Sequence, residues 1–382
     1  NIIAEELDDL KARFGDPRRT EIVDAEGEFQ IEDLIAEEDM VITITHTGYI
    51  KRIPTGTYRR QRRGGKGLSA LGMKEEDFVE HLFIASTHSY ILFFTDKGKC
   101  YWLKVHEIPQ AGRLARGKAI VNLLEMSREE TISAFVPVSD FAQDAYLIMA
   151  TKDGFIKKTH ITAYANPRRD GIIAVLLRDG DRLIAARLTS GNDDVILAKR
   201  RGKAIRFGER DVRVMGRATQ GVTGVRLDKK GDEVVEMVVV KRGTEILVVT
   251  ENGFGKRTRI NEFRNIKRGG LGVIAISTDE RNGPLVAVKE VLDTDEIMVI
   301  TRGGIIIRSP AKDFPILGRP AMGVKLIDLA EGDAVVGLAV AGEREKEEGP
   351  IGEAGEEDLG TDEADEANGA EETGEEGEEP EK

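Results

Sequence analysis

Short apolar segments alternate with polar turns along most of the chain, and this pattern recurs regularly. Six times, an apolar segment leads into a turn that ends in glycine, and a second segment follows. Examples are "MATKDGFIKK" and "VVTENGFGKR", whose Asp-Gly and Asn-Gly pairs predict tight hairpins because glycine accepts a positive φ. The spacings are 50, 56, 48, 51 and 51 residues between the turn glycines Gly48, Gly98, Gly154, Gly202, Gly253 and Gly304. A period near 50 residues predicts a repeat architecture.

Two more features follow each hairpin. About 20 residues after the turn, a small residue precedes an apolar one, at Gly67-Leu68, Ala119-Ile120, Gly171-Ile172, Gly224-Val225, Gly272-Val273 and Gly323-Val324. A third apolar segment, such as "RLIAARL" or "EVVEMVVV", comes next. Each repeat therefore predicts a small antiparallel sheet of about four strands.

Six such sheets could form an open row or a closed ring, and the unmatched strands at the two ends favour the ring. An open row leaves exposed strand edges that promote aggregation, whereas radial closure leaves only short edges. The last strand, Ala334–Val340, has no hairpin after it, and the first hairpin, 41–53, has no strand of that type before it. We expect each to complete the other's sheet. The predicted fold class is all-β, with six blades around an axis.

The two ends of the chain have other patterns. One helical face over residues 1–14 carries Ile3, Leu7, Leu10 and Phe14, so we predict a short N-terminal helix. This helix begins without a clear cap, and we expect the chain to be part of a longer protein. Residues 343–382 contain almost no large apolar side chains, which predicts a disordered acidic C-terminal tail.

Charge is distributed unevenly, although the formal net charge is -13. Residues 343–382 hold 19 acidic and 3 basic residues, and residues 1–40 hold 14 acidic and 4 basic ones. The middle, 41–342, has 36 acidic and 49 basic residues, a net charge of +13. A basic middle is typical of a protein that binds a polyanion.

The basic residues of the middle recur with the repeat. One group follows the turn glycines: Lys51, Arg52, Lys157, Lys158, Arg206, Lys256, Arg257 and Arg308. A second group precedes the small-apolar pairs: Arg59, Arg60, Arg62, Arg63, Lys66, Arg113, Arg116, Lys118, Arg168, Arg169, Arg210, Arg213, Arg217, Arg264, Lys267, Arg268 and Arg319. Equivalent positions in a ring lie on equivalent faces, so we predict a continuous basic rim.

Duplex DNA fits this rim better than a single strand does. Single-strand and RNA binders display aromatic side chains on which bases stack. This chain is 5% aromatic, and the aromatics beside the basic loops are few, Tyr58 and Tyr164 among them. We therefore expect contacts to the duplex backbone, together with bending of the DNA around the rim.

The stretch "RRQRRGGKGLS", residues 59–69, does not predict a nucleotide site. A phosphate loop needs a first glycine where Arg60 stands and a Ser or Thr where Gly67 stands. The five histidines show no metal-ligand spacing, so we expect no metal site. Cys100 has no surrounding motif that indicates a nucleophile, and a single cysteine fits a reducing compartment. An independent enzyme is thus the least favoured interpretation.

The heptad at 61–67 carries a family resemblance. Its residues are Gln61, Arg62, Arg63, Gly64, Gly65, Lys66 and Gly67. With the flanking "MVITITHTGYIKRIP" and "ARFGDPRRTEI", it resembles the hallmark box of the C-terminal domain of bacterial DNA gyrase A, over residues 1–342. The resemblance implies a six-bladed β-pinwheel that wraps duplex DNA in a positive sense, with the box needed for wrapping and bridging the first and last blades. Looser copies of the box are "ARGKA" (115–119) and "KRGGLG" (267–272).

The resemblance also implies the organisation and partners of the chain. Residues 1–20 would be the end of a helical segment from an absent catalytic part, 21–40 a connector, 41–342 the pinwheel and 343–382 the tail. The family's catalytic tyrosine would lie outside this chain, which would bind no cofactor; ATP and Mg would bind elsewhere in the A2B2 holoenzyme. Expected partners are duplex DNA, the rest of gyrase A, and gyrase B. We expect a cytoplasmic, nucleoid-associated location, no membrane contact and a monomeric isolated domain.

Three other interpretations stay open at this point. The corresponding domain of topoisomerase IV is the nearest, although it often has fewer blades and a degenerate box. A propeller scaffold for protein partners would bind acidic proteins without bending DNA. The tail either solubilises the protein or folds back on the basic rim as a DNA mimic.

Overall fold

The computed structural model of the protein describes residues 2–16, 34–45, 47–55, 79–112, 115–127, 129–166, 168, 170–228, 231–303 and 305–341. The predicted N-terminal helix forms as α1 (Ile2–Phe14), and none of its residues is buried. Among the described residues, no helix has the length and apolar character needed to cross a membrane. The acidic tail, 343–382, lies outside the described residues.

The strands form six antiparallel sheets, which we number as blades 1 to 6 in chain order. Within the described residues, each blade has an inner strand and two hairpin strands, and blades 1 to 5 also have a short outer strand. From inside outward, blade 1 consists of β3 (Val79–Ser86), β1 (Asp39–Thr45), β2 (Tyr49–Pro54) and β6 (Lys118–Ala119), and blade 2 of β7 (Ile132–Val138), β4 (Tyr90–Thr95), β5 (Lys99–Lys104) and β10 (Ile172–Ile173). Blade 3 consists of β11 (Leu183–Thr189), β8 (Tyr146–Thr151), β9 (Phe155–His160) and β14 (Val222–Thr223), and blade 4 of β15 (Val234–Val240), β12 (Asp194–Lys199), β13 (Lys203–Gly208) and β18 (Val273–Ile274). Blade 5 consists of β19 (Leu285–Val291), β16 (Glu245–Thr250), β17 (Phe254–Arg259) and β22 (Val324–Lys325), and blade 6 of β23 (Val335–Ala341), β20 (Glu296–Thr301) and β21 (Ile306–Pro310).

The hairpins form where the turn glycines predict them. At Gly154, between β8 and β9, φ is +86°, and a Cβ would lie 2.5 Å from the carbonyl oxygen of Val225. Glycine is therefore required both for the turn and for the close approach of the backbone at Val225. Gly48, Gly98, Gly202 and Gly253 have the same positive φ, and Gly304 lies outside the described residues.

The short outer strand of each blade comes from the next repeat, which corrects our expectation of one sheet per repeat. β6 follows β5 of blade 2 in the chain but pairs with β2 of blade 1, with Tyr49 opposite Ala119. β10, β14, β18 and β22 make the same exchange. The glycine directly before the strand is Gly117 for β6 and Gly221 for β14, whereas Ala119 ends β6 and Gly224 follows β14.

The sheets close into a ring, but by another route than we predicted. β23 pairs with β20 within blade 6, and the first hairpin pairs with β3 within blade 1, so neither completes the other's sheet. The ring closes instead because inner strands of neighbouring blades pack together, including β23 against β3. Phe83 of β3 and Phe135 of β7 stack at 5.3 Å between ring centroids. The six-bladed all-β ring itself is confirmed.

The core lies between neighbouring blades rather than inside any one of them. In one cluster, Ile42 and Ile50 of blade 1 pack with Phe93 and Tyr101 of blade 2. Corresponding clusters join blades 2 and 3, 3 and 4, 4 and 5, and 5 and 6. A blade alone would expose its apolar faces, so each depends on its neighbours, as in other repeat architectures.

Candidate nucleic-acid interface

A loop crosses the outer edge of the ring between each pair of successive blades from 1 to 6. It begins after a 3-10 turn that ends the outer hairpin strand and finishes at the short strand on the preceding blade. We call the described residues of these segments the rim loops: 108–112 and 115–117; 165–166, 168 and 170–171; 212–221; 263–272; and 314–323. Isolated parallel bridges, such as Lys158 with Val214 and Arg206 with Asn265, hold them against the preceding blade.

Part of the predicted interface lies outside the described residues. This part comprises Arg59, Arg60, Gln61, Arg62, Arg63, Gly64, Gly65, Lys66, Gly67, Arg113 and Arg169. Of the other predicted residues that precede the small-apolar pairs, Arg210 lies in the 3-10 turn Glu209–Asp211, and nine lie on rim loops or on the short strand β6. They fall into groups that differ in what their side chains contact.

Five of these side chains are exposed on the rim: Lys118, Arg168, Arg213, Arg264 and Lys267. Within the part of the chain that the structure describes, none of the five makes a side-chain hydrogen bond or ion pair. Arg116 is also exposed, but its guanidinium stacks 3.9 Å from the centroid of the Tyr49 ring. Long cationic side chains without protein partners are suited to contact phosphate oxygens.

Three arginines are half-buried and bonded to the protein. Arg217, Arg268 and Arg319 each donate from Nη1 to a backbone carbonyl oxygen on a short strand, at 3.2, 2.9 and 2.8 Å. The acceptors are Ile173, Thr223 and Ile274, each on the strand of the preceding blade. These arginines therefore link neighbouring blades at the rim.

The basic residues after the turn glycines do not extend the rim surface, and this part of our prediction is wrong. Lys51, Lys157 and Lys256 are only 1%, 1% and 0% exposed. Their ammonium groups donate to rim-loop carbonyl oxygens from inside: Lys51 to Ala115 at 2.8 Å, Lys256 to Arg319 at 2.6 Å, and Lys157 to Arg217. Burial lowers the pKa of Lys157 to about 7 and that of Lys256 to about 8.

The basic residues one position after these buried lysines, and at the same place in other blades, also bond to the protein itself. Arg52 donates from Nε to the carbonyl oxygen of Ile108 at 2.7 Å, and Arg257 donates likewise to Phe314 at 2.8 Å. Lys158 donates to the carbonyl oxygen of Glu209 at 3.1 Å. Arg206 pairs with Asp194, and Arg308, although exposed, pairs with Glu296.

The rim also holds cations that our sequence prediction omitted. Arg259, the last residue of β17, and Lys312, within the 3-10 turn Ala311–Asp313, are both exposed. The sequence feature that identifies both cations is their place at or just after the end of the outer hairpin strand, where the chain turns at the edge of the ring. By contrast, Tyr164 is fully buried, so it offers no stacking surface for bases. Nowhere in the described ranges do three His, Cys, Asp or Glu side chains gather in a way that could hold a metal ion.

Comparison with known proteins finds matches over most of the chain. A family model, "DNA gyrase C-terminal domain, beta-propeller", matches residues 39–86, 89–139, 145–190, 193–241, 244–291 and 295–341. The DNA gyrase A protein of Haemophilus influenzae is 44% identical over 364 residues, covering 88% of this chain and 41% of the relative. The DNA gyrase A protein of Escherichia coli (strain K12) is 46% identical over 336 residues, covering 88% and 38%. The chain thus spans about two fifths of these relatives.

Two solved structures share the fold. The C-terminal domain of DNA topoisomerase IV superposes with a TM-score of 0.71 at 27% identity, covering 80% of this chain and 94% of that one. The DNA gyrase A C-terminal domain superposes with a TM-score of 0.62 at 30% identity, covering 79% and 99%. The six segments that the family model matches correspond to the six blades of this chain, one for each blade.

Proposed function

The chain belongs to the DNA gyrase C-terminal domain, beta-propeller family, and from this premise we propose that it wraps duplex DNA around its rim so that a gyrase holoenzyme introduces negative supercoils. The observation that carries the proposal is the row of exposed cations without protein partners on successive rim loops. Arg168 lies before the short strand of blade 2, Arg213 before that of blade 3, and Arg264 and Lys267 before that of blade 4.

The charge of this surface suits the backbone of a duplex. Each phosphate that a Lys or Arg neutralises releases condensed counterions, which favours binding at low salt. No base-reading element is needed, because the rim loops offer flexible cations rather than a helix that enters a groove. Contacts at successive blades would hold the DNA along a curve, so binding would depend on how easily the duplex bends.

We assign the first contact of this path to residues 61–67, the box, on the strength of the family membership. Arg62, Arg63 and Lys66 would bind phosphates, while the glycines would allow close approach of the backbone. In the whole protein, residues 1–20 would connect to the catalytic part of gyrase A, 21–40 would form a connector, and 41–342 would be the wrapping domain. Gyrase B would supply ATP hydrolysis in the A2B2 holoenzyme, and the chain alone would catalyse no reaction. The assembly would act on cytoplasmic, nucleoid DNA.

The acidic tail, 343–382, is the most strongly charged segment of the chain. With 19 acidic and 3 basic residues, it has the charge density of a polyanion. We propose that it binds the basic rim as a DNA mimic and limits wrapping. A chain ending at Gly342 should then bind duplex DNA more tightly than the full chain at low salt. Equal affinity and equal wrapping in the two chains would refute this role.

A second candidate is the C-terminal domain of topoisomerase IV, because the fold is also similar to that protein. The intact box at 61–67 and the six repeats favour gyrase. A protein scaffold is the third candidate, and it would bind acidic proteins without bending DNA.

The test is duplex binding by fluorescence anisotropy over a range of salt concentrations. We expect log affinity to fall linearly with log salt, by about 0.9 for each phosphate neutralised. A single strand of equal length should bind more weakly. A flat salt response would exclude an electrostatic rim and favour the scaffold.

A further inference from the structure

One position of the rim loops makes the same contact in three successive loops. Arg217, Arg268 and Arg319 each stand four residues before the glycine that opens the short strand. Each sends Nη1 to the carbonyl oxygen of the second residue of the preceding short strand. A contact repeated at equivalent positions is a property of the fold and not of a single loop.

Further bonds hold these arginines in place. Arg268 also donates from Nε to the carbonyl oxygen of Asp211 at 2.9 Å. The backbone nitrogen of Arg319 donates to Glu262 at 3.0 Å, and its guanidinium lies 5.9 Å from the centroid of the Phe263 ring. The planar guanidinium presents its donors in a fixed geometry, so these bonds orient the whole side chain toward the protein.

The short strands need such support. Each of β10, β14, β18 and β22 contributes only two residue pairs to the sheet that it joins. From inside, Lys157 and Lys256 bond the backbone carbonyl oxygens of Arg217 and Arg319. From outside, the three guanidinium groups tie β10, β14 and β18 to the following rim loops, and these links form one series across blades 2 to 5.

We propose that Arg217, Arg268 and Arg319 are positioning residues that fix the path of the DNA, whereas exposed cations beside them contact the phosphates. This inference rests on the proposed function. A bent duplex resists its curvature elastically, so the surface that holds it must keep neighbouring contact points at fixed separations. The three arginines keep successive rim loops in register, and Arg213, Arg264 and Lys267 supply the contacts.

Two variants with the same change in charge separate these roles. The brace variant carries R217Q, R268Q and R319Q, and the contact variant carries R213Q, R264Q and K267Q, both in the full chain. Three quantities are measured: the slope of log affinity against log salt, the linking-number change per bound protein after nicked circular DNA is sealed, and hydrogen exchange of the free protein.

The contact variant should lose about 2.7 from the salt slope, which corresponds to three phosphates. The brace variant should keep the slope of the unmodified chain but lose most of the linking-number change. Without DNA, amide exchange in β10, β14 and β18 should rise in the brace variant and not in the contact variant. A third variant, R217K with R268K and R319K, keeps the charge without the planar fork and should behave like the brace variant.

Each result bears on a different claim. An equal loss of salt slope in both glutamine variants would overturn the inference, because the three arginines would then be phosphate contacts. Unchanged exchange together with an unchanged linking number in the brace variant would overturn it as well. Unchanged DNA binding in both variants, with raised exchange in the brace variant, would refute DNA binding by these loops while leaving the brace intact. If the brace variant does not fold, as judged by circular dichroism, R268Q alone is compared with R264Q.

Discussion

The ammonium nitrogen of Lys256 lies 2.6 Å from the backbone carbonyl oxygen of Arg319, so a fully buried cation holds a rim loop from inside the ring. Lys157 holds Arg217 in the same way. Burial lowers the pKa of both lysines, which means that the charged form is costly in the folded protein.

Replacing Lys256 with Met should remove a specific pH dependence of stability. Between its folded pKa of about 8 and its ordinary value of 10.5, the unfolded chain binds a proton that the folded protein lacks. The unfolding free energy of the unmodified protein therefore gains a contribution that rises with pH across this window, while below about pH 8 the cost of the buried charge is complete. The gain is up to about 3 kcal/mol.

Urea denaturation at fixed pH values checks this prediction. The difference in unfolding free energy between K256M and the unmodified chain should change across the window. The exposed Lys267→Met variant should show no such change. Parallel pH profiles for K256M and the unmodified chain would mean that Lys256 stays charged in the fold.

Glu209 is fully buried in a 3-10 turn, at a position that Ile161 and Ile260 occupy in other blades. Burial raises the pKa of its carboxyl group, and the charge of Lys158 opposes this only in part. Within the described residues, neither carboxylate oxygen of Glu209 has a hydrogen-bond partner. The folded protein thus binds a proton more tightly than the unfolded chain, so the contribution of Glu209 to stability falls as pH rises above its ordinary pKa of 4.5.

The Glu209→Gln variant should therefore melt at a higher temperature than the unmodified chain at about pH 8, since the amide keeps the shape without the charge. The advantage should shrink as the pH falls toward the acid range, because the folded carboxyl group takes up a proton at a higher pH than the unfolded one does. Thermal melts at the two pH values measure it, with the exposed Glu129→Gln as control. A lower melting temperature for E209Q at both pH values would show that the charge stabilises the fold.

The core between blades predicts which apolar residues matter most. Phe93 is fully buried between blades 1 and 2, and Phe93→Ala should lower the unfolding free energy by about 3–5 kcal/mol. Val121, which is exposed, should tolerate Val121→Ala with a change within about 0.5 kcal/mol. Denaturant titrations of both variants decide the point, and similar losses would contradict the arrangement of the core.

The box, residues 61–67, is predicted to act on DNA and not on folding. Replacing Arg62, Arg63 and Lys66 with Ala should leave the circular dichroism spectrum and melting temperature unchanged but abolish wrapping, because these would be loop charges that contact phosphates. If the variant unfolds globally, the box is mainly a structural link. The comparison variant is R213A with R264A and K267A, which removes equal charge elsewhere on the rim.

The sequence predicted the hairpins and the sixfold repeat, because both depend on local signals. Gly154 and Gly253 mark turns that only glycine forms readily, and their spacing shows the repeat. The exchange of outer strands was not predictable, because Gly171-Ile172 has the same local pattern whichever blade it joins. The unmatched strands misled us for the same reason, since pairing partners far apart in the chain leave no local signal.

Side-chain direction explains the error about the buried lysines. Lys51, Lys157 and Lys256 are charged and looked like surface residues. The third position after the turn glycine is Tyr101 in blade 2 and Ile205 in blade 4, which are both buried. An alignment of the repeats at this third position places the three lysines opposite an aromatic and an aliphatic residue, which predicts that the position is buried. For Arg217, Arg268 and Arg319, no sequence feature distinguishes a bond to a carbonyl from a contact to phosphate.

The most direct test of DNA wrapping measures the handedness of the DNA path. The full chain is bound to nicked circular DNA, the nick is sealed with ligase, the protein is removed and the linking number is read. We expect a positive shift that grows with the amount of protein bound, and no shift for the R62A, R63A, K66A variant. Tight binding with no shift would contradict chiral wrapping, and the topoisomerase IV and scaffold interpretations would then take precedence.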